Sequence, residues 1–450
     1  MLRLSWTQPE DLAPHALRAA DLDGIPVDDL AADWVAAGGA EKPAVSGATP
    51  DPAPDAVRTL ARAILTGIAA RPVPGALRAA EPDSFDDIMT LAGPPPLLST
   101  DTSLDRIQGA WLGRAAGCLL GKPVEKIPRH GIRAIAESTG NWPLQTYFTE
   151  VGLDPEIAGR FPWNRRSRPT SLVENISGMP EDDDLNFPLI ALDLLERVGP
   201  GFTVDDVAQS WLANLPGGRV FTAERIVYRN LLDGIEPEDA ATAGNPFADW
   251  IGAQIRTDVY GWASPGDPVR AARLAHVDAW LSHRRSGLYG AMFAAAACSA
   301  AVVASTVDEV LDAGLSVVPA GSRYTAAIRR GSELGRSDLS LDDALDAIYA
   351  DYGHLHWVHA LNNSALLAFA LTRGAGDFAA TVTAAVSGGW DTDSVGATAG
   401  SISGALTGAS GLPASWIDPL QNRLASSVPG FDGIGFDELA RRTLALGAGA

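Results

Sequence analysis

The chain has 450 residues, with 55 Asp and Glu against 34 Lys and Arg, for a formal net charge of −21. That balance argues against a nucleic-acid-binding surface, and it requires any anionic ligand to find a local basic pocket or helix N-termini. The length allows one large domain with an appendage, or two domains. The two cysteines, Cys118 and Cys298, lie in apolar helical stretches and read as small core residues rather than as a disulfide.

The N-terminal MLRLSWTQPEDL meets a proline and acids too early for a signal-peptide apolar region, so a cytoplasmic location is expected. Residues 1–95 read as a helical extension. PEDLAPHALRAADLDG, VDDLAADWVAAGG and DAVRTLARAILTGIAA have the spacing of short helices, and the proline-rich AEKPAVSGATPDPAPD separates the last two. No chemistry shows in the extension, which points to a packing or interaction role. A second break, AGPPPLLSTDTS, ends at Ser103, a candidate cap for a helix starting near Leu104. That helix carries glycines at 109, 113, 117 and 121, one face of a helix, with Glu125 just beyond.

From residue 104 onward nearly every long segment has apolar spacing of three and four, and no series of alternating strands appears. LNFPLIALDLLERVG, TVDDVAQSWLANL, DPVRAARLAHVDAWLSH, YGAMFAAAACSAAVVAS, LDDALDAIYADYGHLHWVHALNNSALLAFALTRG and FAATVTAAVSG are expected helices, making the protein all-α, a compact multi-helix domain. The longest uncharged run, Ser286 to Val307, is rich in Ala, Ser and Gly and reads as a buried helix rather than a membrane span. Tyr147 to Met179 is the main loop. Its Arg165, Arg166 and Arg168 either contact phosphates or form a solvated loop face.

Two acid clusters stand out. Glu181-Asp182-Asp183-Asp184 precedes a helix, where a capping and solvation run is the ordinary reading. Asp391, Asp393 and Ser394 follow Gly388-Gly389 and begin a second helix with glycines at 396, 400, 404 and 408. Mg²⁺, Mn²⁺ and Ca²⁺ take oxygen ligands of this kind, and two separated acidic sets are what a two-cation site requires. Glycine costs about 1 kcal/mol in a helix interior, so the two stripes suggest two backbones packed together to bring the acids into one site. Two helices that each meet a different neighbour would also fit. His354, His356 and His359 resemble a metal tract, but no cysteine accompanies them. Asp278, Ser282 and His283 read equally as a functional segment or a polar helix end. No nucleophile elbow is present in the sequence.

Taken in order, GAWLGRAAGCLLGKPVE, EDDD, GAQIRTDVYG and GWDTDS resemble the motifs of the ADP-ribosylglycohydrolase family, over roughly residues 104–445. That family includes dinitrogenase-reductase-activating and ADP-ribosylarginine hydrolases. The resemblance implies two divalent cations, Mg²⁺ or Mn²⁺, held by Glu181, Asp182, Asp183, Asp391, Asp393 and Ser394. It implies Asp182, Asp183 and Glu125 as catalytic acids, and Trp390, Asp258, His359 and Asn362 as substrate contacts. The pattern departs from the family where Glu181 and Asp184 replace threonines and where Trp390 replaces a glycine; Asp184 is expected to cap or to support the ligands from outside. The implied reaction is cleavage of the C1″ glycosidic bond of an ADP-ribosyl group on a protein side chain or small acceptor. Hydrolysis of another ribosyl N- or O-glycoside, such as a nucleoside-like metabolite, and a non-catalytic crystallin-like role are the alternatives. The expected partner is an ADP-ribosylated protein or small ribosyl substrate, with no nucleic acid and no membrane.

Overall fold

The computed structural model describes residues 2–43 and 46–447. Spacing of three and four becomes helix throughout, and among the described residues β-structure is limited to three isolated bridges. The extension contains helices α1 (Pro9–Leu22) and α2 (Asp55–Ala69) and three shorter ones. Ala13, Leu17, Trp34, Ala61 and Ile64 give it a small core of its own. Trp6, Leu12, Phe85 and Ile88 join the main core instead. Ion pairs strengthen that seating: Arg285 meets Asp23 at 2.7 Å, and Arg323 meets Glu81 at 2.8 Å.

Ser103 accepts a hydrogen bond from the Arg106 N–H and caps α3 (Leu104–Gly121) as its sequence predicts. The two glycine stripes face each other. Gly109, Gly113, Gly117 and Gly121 of α3 stand opposite Gly404, Gly400, Gly396 and Thr392 of a later helix, an antiparallel register with one contact per turn. A Cβ on any of the four α3 glycines would fall within 3.0 Å of a backbone carbonyl oxygen across the seam. Only glycine permits two helix backbones to approach this closely.

Around this pair sit α4 (Asp183–Val198), α5 (Asp258–Trp262), α6 (Arg285–Ala301) and α7 (Ala360–Gly374); the glycine partner helix is α8 (Thr392–Thr407). Every residue of α6 from Ser286 to Ala301 is buried, as the uncharged run predicts. No helix of the described residues is long and apolar enough to cross a membrane. Two expectations are revised. The loop after Tyr147 contains short helices, Pro155–Arg160 and Arg168–Ser171, each begun by a proline at a first-turn position where no N–H is needed. The long segment starting at Leu341 is two helices, Leu341–Tyr352 and α7, with His359 capping the second through its side chain. His354 and His356 fall in the break, so helical spacing does not govern them.

Candidate metal centre

The glycine register decides which residues meet. It sets the C-terminal end of α3 against the N-terminal end of α8, where the Thr392 hydroxyl donates to the Gly121 carbonyl at 2.8 Å. One 3-10 turn, Lys122–Val124, then delivers Glu125. Asp391 occupies the N-cap position of α8 without a side-chain capping bond, and Asp393 lies in the first turn. Oxygens of Glu125, Asp391 and Asp393 thereby come within 4.8 Å of one another.

The third contribution comes from α4. Asp182 is its N-cap and accepts from the Asp184 N–H at 2.9 Å. The Ser394 hydroxyl donates to Asp184 Oδ2 at 3.2 Å, tying α8 to α4. Behind them Arg114 of α3, fully buried, donates to the Asp184 carbonyl at 2.8 Å and to Asp258 Oδ2 at 2.7 Å. Lys122 Nζ bonds the Asp182 carboxylate and the Glu181 carbonyl. Asn164 Nδ2 donates to Glu125 at 2.7 Å, and Lys126 pairs with the same carboxylate at 3.1 Å.

Charge at the site is unbalanced. Burial first, then neighbouring carboxylates, pushes the Asp183, Asp184 and Asp391 carboxyls well above the usual range. Asp393 is raised to about 7 by burial and by the charges of Glu125 and Asp182. Asp182 moves the other way: burial raises it, but the Lys122 ammonium and the hydrogen bonds from Lys122 and Asp184 together lower it further. Among the described residues neither Asp391 nor Asp393 is ion-paired to a lysine or arginine. Buried carboxylates this crowded fit divalent cations, whose charge removes the repulsion and whose preferred donors are oxygens. Asp182, Asp184 and the Cys118 sulfur also come within 4.8 Å of one another. Burial and the adjacent carboxylates keep the Cys118 thiol protonated, so it walls this side of the site rather than offering a thiolate.

The acids form the floor of a cleft of about 570 Å³, within the usual range for small-molecule sites. Its sides carry Arg165, Arg166, Arg219, Phe221 and Trp357, so a basic rim surrounds an acidic floor. Arg165 and Arg166 therefore face the cleft, while Arg168 pairs with Glu150 at 2.7 Å.

Glu125, Glu181, Asp182, Asp183, Asp391, Asp393 and Ser394 all reach this cleft. Within it Glu181 is turned aside, accepting from Asn186 at 3.0 Å and pairing with Arg219 at 2.5 Å. Asp184 pairs with Arg114 and accepts from Ser394, and its carboxylate comes within 4.8 Å of Asp182 and Cys118. The four expected substrate contacts are not among the residues lining the cleft. Asp258 is fully buried against Arg114. Asn362 is buried and donates to the His356 carbonyl at 3.2 Å. His359 caps α7 beneath a second cavity of about 590 Å³ at the extension. Trp390 stacks on Tyr349 at 4.2 Å and holds φ +62°, the left-handed backbone that suits the glycine it replaces. Asp278 and Ser282 are also structural: both bind the buried Arg256, at 2.5 and 2.7 Å.

Sequence reasoning passed over Lys122, although it stands in the GKPVE run three residues before Glu125. Arg219 and Trp357 carried no signal, since only the fold brings their loops to the cleft.

Fold and site together define an all-helical protein whose two glycine-faced helices assemble a cluster of carboxylates that could hold a metal ion at the bottom of a cleft. The chain belongs to the ADP-ribosylglycohydrolase family, whose model matches residues 99–448. A solved structure described as an ADP-ribosylglycohydrolase-related protein complex is similar over 77% of this chain and 98% of its own, at 21% identity and a TM-score of 0.44. No curated protein matches the chain.

Proposed function

We propose that the protein is a metal-dependent hydrolase of the C1″ glycosidic bond of ADP-ribosyl groups, with two cations, Mg²⁺ or Mn²⁺. The observation that carries this reading is the convergence of Glu125, Asp391 and Asp393 within 4.8 Å, beside Asp182 and Asp184, in one cleft. The rim of Arg165, Arg166 and Arg219 supports it, because arginine forks suit the oxygens of a diphosphate.

Cleavage at C1″ passes through an oxocarbenium-like state, which neighbouring negative charge stabilises. Water adds its oxygen to C1″ and a proton goes to the departing acceptor. Bound divalent cations supply charge compensation and a lowered water pKa. The chain's own residues do the rest. Asp182, Asp183 and Glu125 are the candidates to take the water proton. Lys122 holds Asp182 in place and Asn164 holds Glu125, which leaves Asp183 as the one of the three without an ionic or amide partner among the described residues.

The test is release of ADP-ribose from ADP-ribosylated arginine and serine peptides with Mg²⁺, Mn²⁺ or chelator, against an Asp391→Ala, Asp393→Ala control. Metal-dependent release that vanishes in the control is expected. Metal binding without release from any acceptor would move the assignment to another ribosyl glycoside. Failure to bind metal would overturn it.

A further inference from the structure

The family match begins at residue 99, yet the preceding extension reaches the cleft. Two of its segments, Ser5-Trp6 and Ser46-Gly47, line the cavity. They are joined to each other, since the Trp6 N–H donates to the Gly47 carbonyl at 3.1 Å. Each is also tied to a different lip. Arg225 Nη1 donates to the Ser5 hydroxyl at 2.6 Å and to the Ser5 carbonyl at 3.1 Å, on the side where Arg225 and Arg166 cover Phe221. On the other side Trp357 Nε1 donates to the Ser46 hydroxyl at 3.0 Å, and Lys126, which pairs with Glu125, sits over the Trp357 ring. The sequence Arg225, Ser5-Trp6, Gly47-Ser46, Trp357 is therefore a continuous strap from lip to lip.

The strap is anchored at its root. Arg3 donates to the Thr49 carbonyl at 2.7 Å and pairs with Glu10 at 2.9 Å and Asp11 at 3.3 Å, all three side chains nearly buried. Trp6 itself packs edge-on against Phe247 and Trp250. Trp6 at φ +65° and Gly47 at φ +113° both hold left-handed backbone, costly for a tryptophan and kept only because the surroundings demand it. Trp6 and Gly47 are buried while Ser46 is exposed, so the strap has an inner face toward the cleft and an outer face toward solvent.

We propose that the extension is a specificity element of the active-site cleft: its strap limits the occupant to small free conjugates and rejects groups displayed on a folded protein. As a statement about ADP-ribosyl substrates this rests on the function proposed above; the size limit itself does not. A conjugate small enough for a 570 Å³ cleft fits under the strap, whereas a protein surface around the acceptor side chain would meet Ser46 and the Ser5 segment first.

The experiment has two arms on the full chain. Both native cysteines are buried, so Thr170→Cys, at an exposed position of the cleft wall, gives a single reactive thiol. Its labelling by iodoacetamide is compared with labelling by a polyethylene-glycol maleimide, alone and combined with Ser5→Ala/Ser46→Ala or with Gly47→Val. Untying or wedging the strap is expected to raise bulky labelling at least tenfold relative to the small reagent, with the melting temperature unchanged in Ser5→Ala/Ser46→Ala. An unchanged ratio in both strap variants overturns the proposal. In the second arm, kcat/KM for ADP-ribosylarginine is compared with that for an ADP-ribosylated folded protein. At least a tenfold preference for the small conjugate is expected, narrowing in the strap variants; equal turnover in the wild type overturns the proposal. Absence of any ADP-ribose release counts against the reaction class, while the labelling arm still decides the strap.

Discussion

The glycine seam makes a graded prediction. In Gly109→Ala and Gly121→Ala the added methyl meets partner backbone inside 3.0 Å, where ordinary contact begins at 3.4 Å, so in each case the helices must part by at least about 0.4 Å. Overpacking costs about 1–3 kcal/mol, and an obstacle made of backbone puts these sites at the upper end. Replacing a helical glycine by alanine returns about 1 kcal/mol. Both variants should therefore lose about 2 kcal/mol in urea unfolding. Their effects on the site should differ. Gly121 presses on the Thr392 carbonyl and the Asp393 N–H, whereas Gly109 meets Gly404 and Gly408 at the far end of the seam. Mn²⁺ affinity by calorimetry should fall at least tenfold in Gly121→Ala and change little in Gly109→Ala. Equal affinities would refute the idea that the seam sets the acid geometry, and unaltered stability would refute the packing argument itself.

Three further outcomes are expected. Arg114→Met strands Asp184 and Asp258 without their buried partner and should cost about 3–5 kcal/mol, read as a loss of unfolding free energy. His15 is held neutral by burial, its pKa lowered to about 4 from 6.5. The unfolded chain then binds a proton that the folded one does not, so this stabilisation is complete above pH 6.5 and is lost as pH falls toward 4, at about 1.4 kcal/mol per pH unit. A His15→Phe variant should show that much less slope in pH-dependent denaturation. Asp393 has the opposite sign: with its carboxyl raised to about 7, the chelated protein gains stability at low pH and loses it as pH rises through 7. Metal binding must displace that proton, so Mn²⁺ affinity should climb by up to about tenfold per pH unit for this group below 7, as titration calorimetry at several pH values will report.

Much of this was legible in the residues. Helical spacing and the four-residue glycine period are local patterns, and so are runs of adjacent acids; each fixes what its own segment does. The two stripes have equal lengths and a matching step, which is why their pairing could be anticipated. The surroundings of two expected substrate contacts were not legible, because their partners lie far away in sequence: Arg114 for Asp258, Tyr349 for Trp390. The Leu341 segment misled for another reason. Apolar spacing continues across Gly353 to Val358, but the turn and the His359 cap end one helix and begin another. The extension's part in the cleft could not be read either, since Ser5 and Ser46 are unremarkable until Arg225 and Trp357 are seen to hold them.

The seam also constrains how such a centre can vary. The glycine contacts repeat every four residues, so sliding one helix along the other finds its next fit only one repeat away, about 6 Å. A shift of that size would carry Asp391 and Asp393 clear of Glu125. The spacing between the acids behaves as a notch rather than a dial. A change of ion preference or reach on this scaffold would have to come from exchanging side chains at fixed posts, and not from nudging the posts.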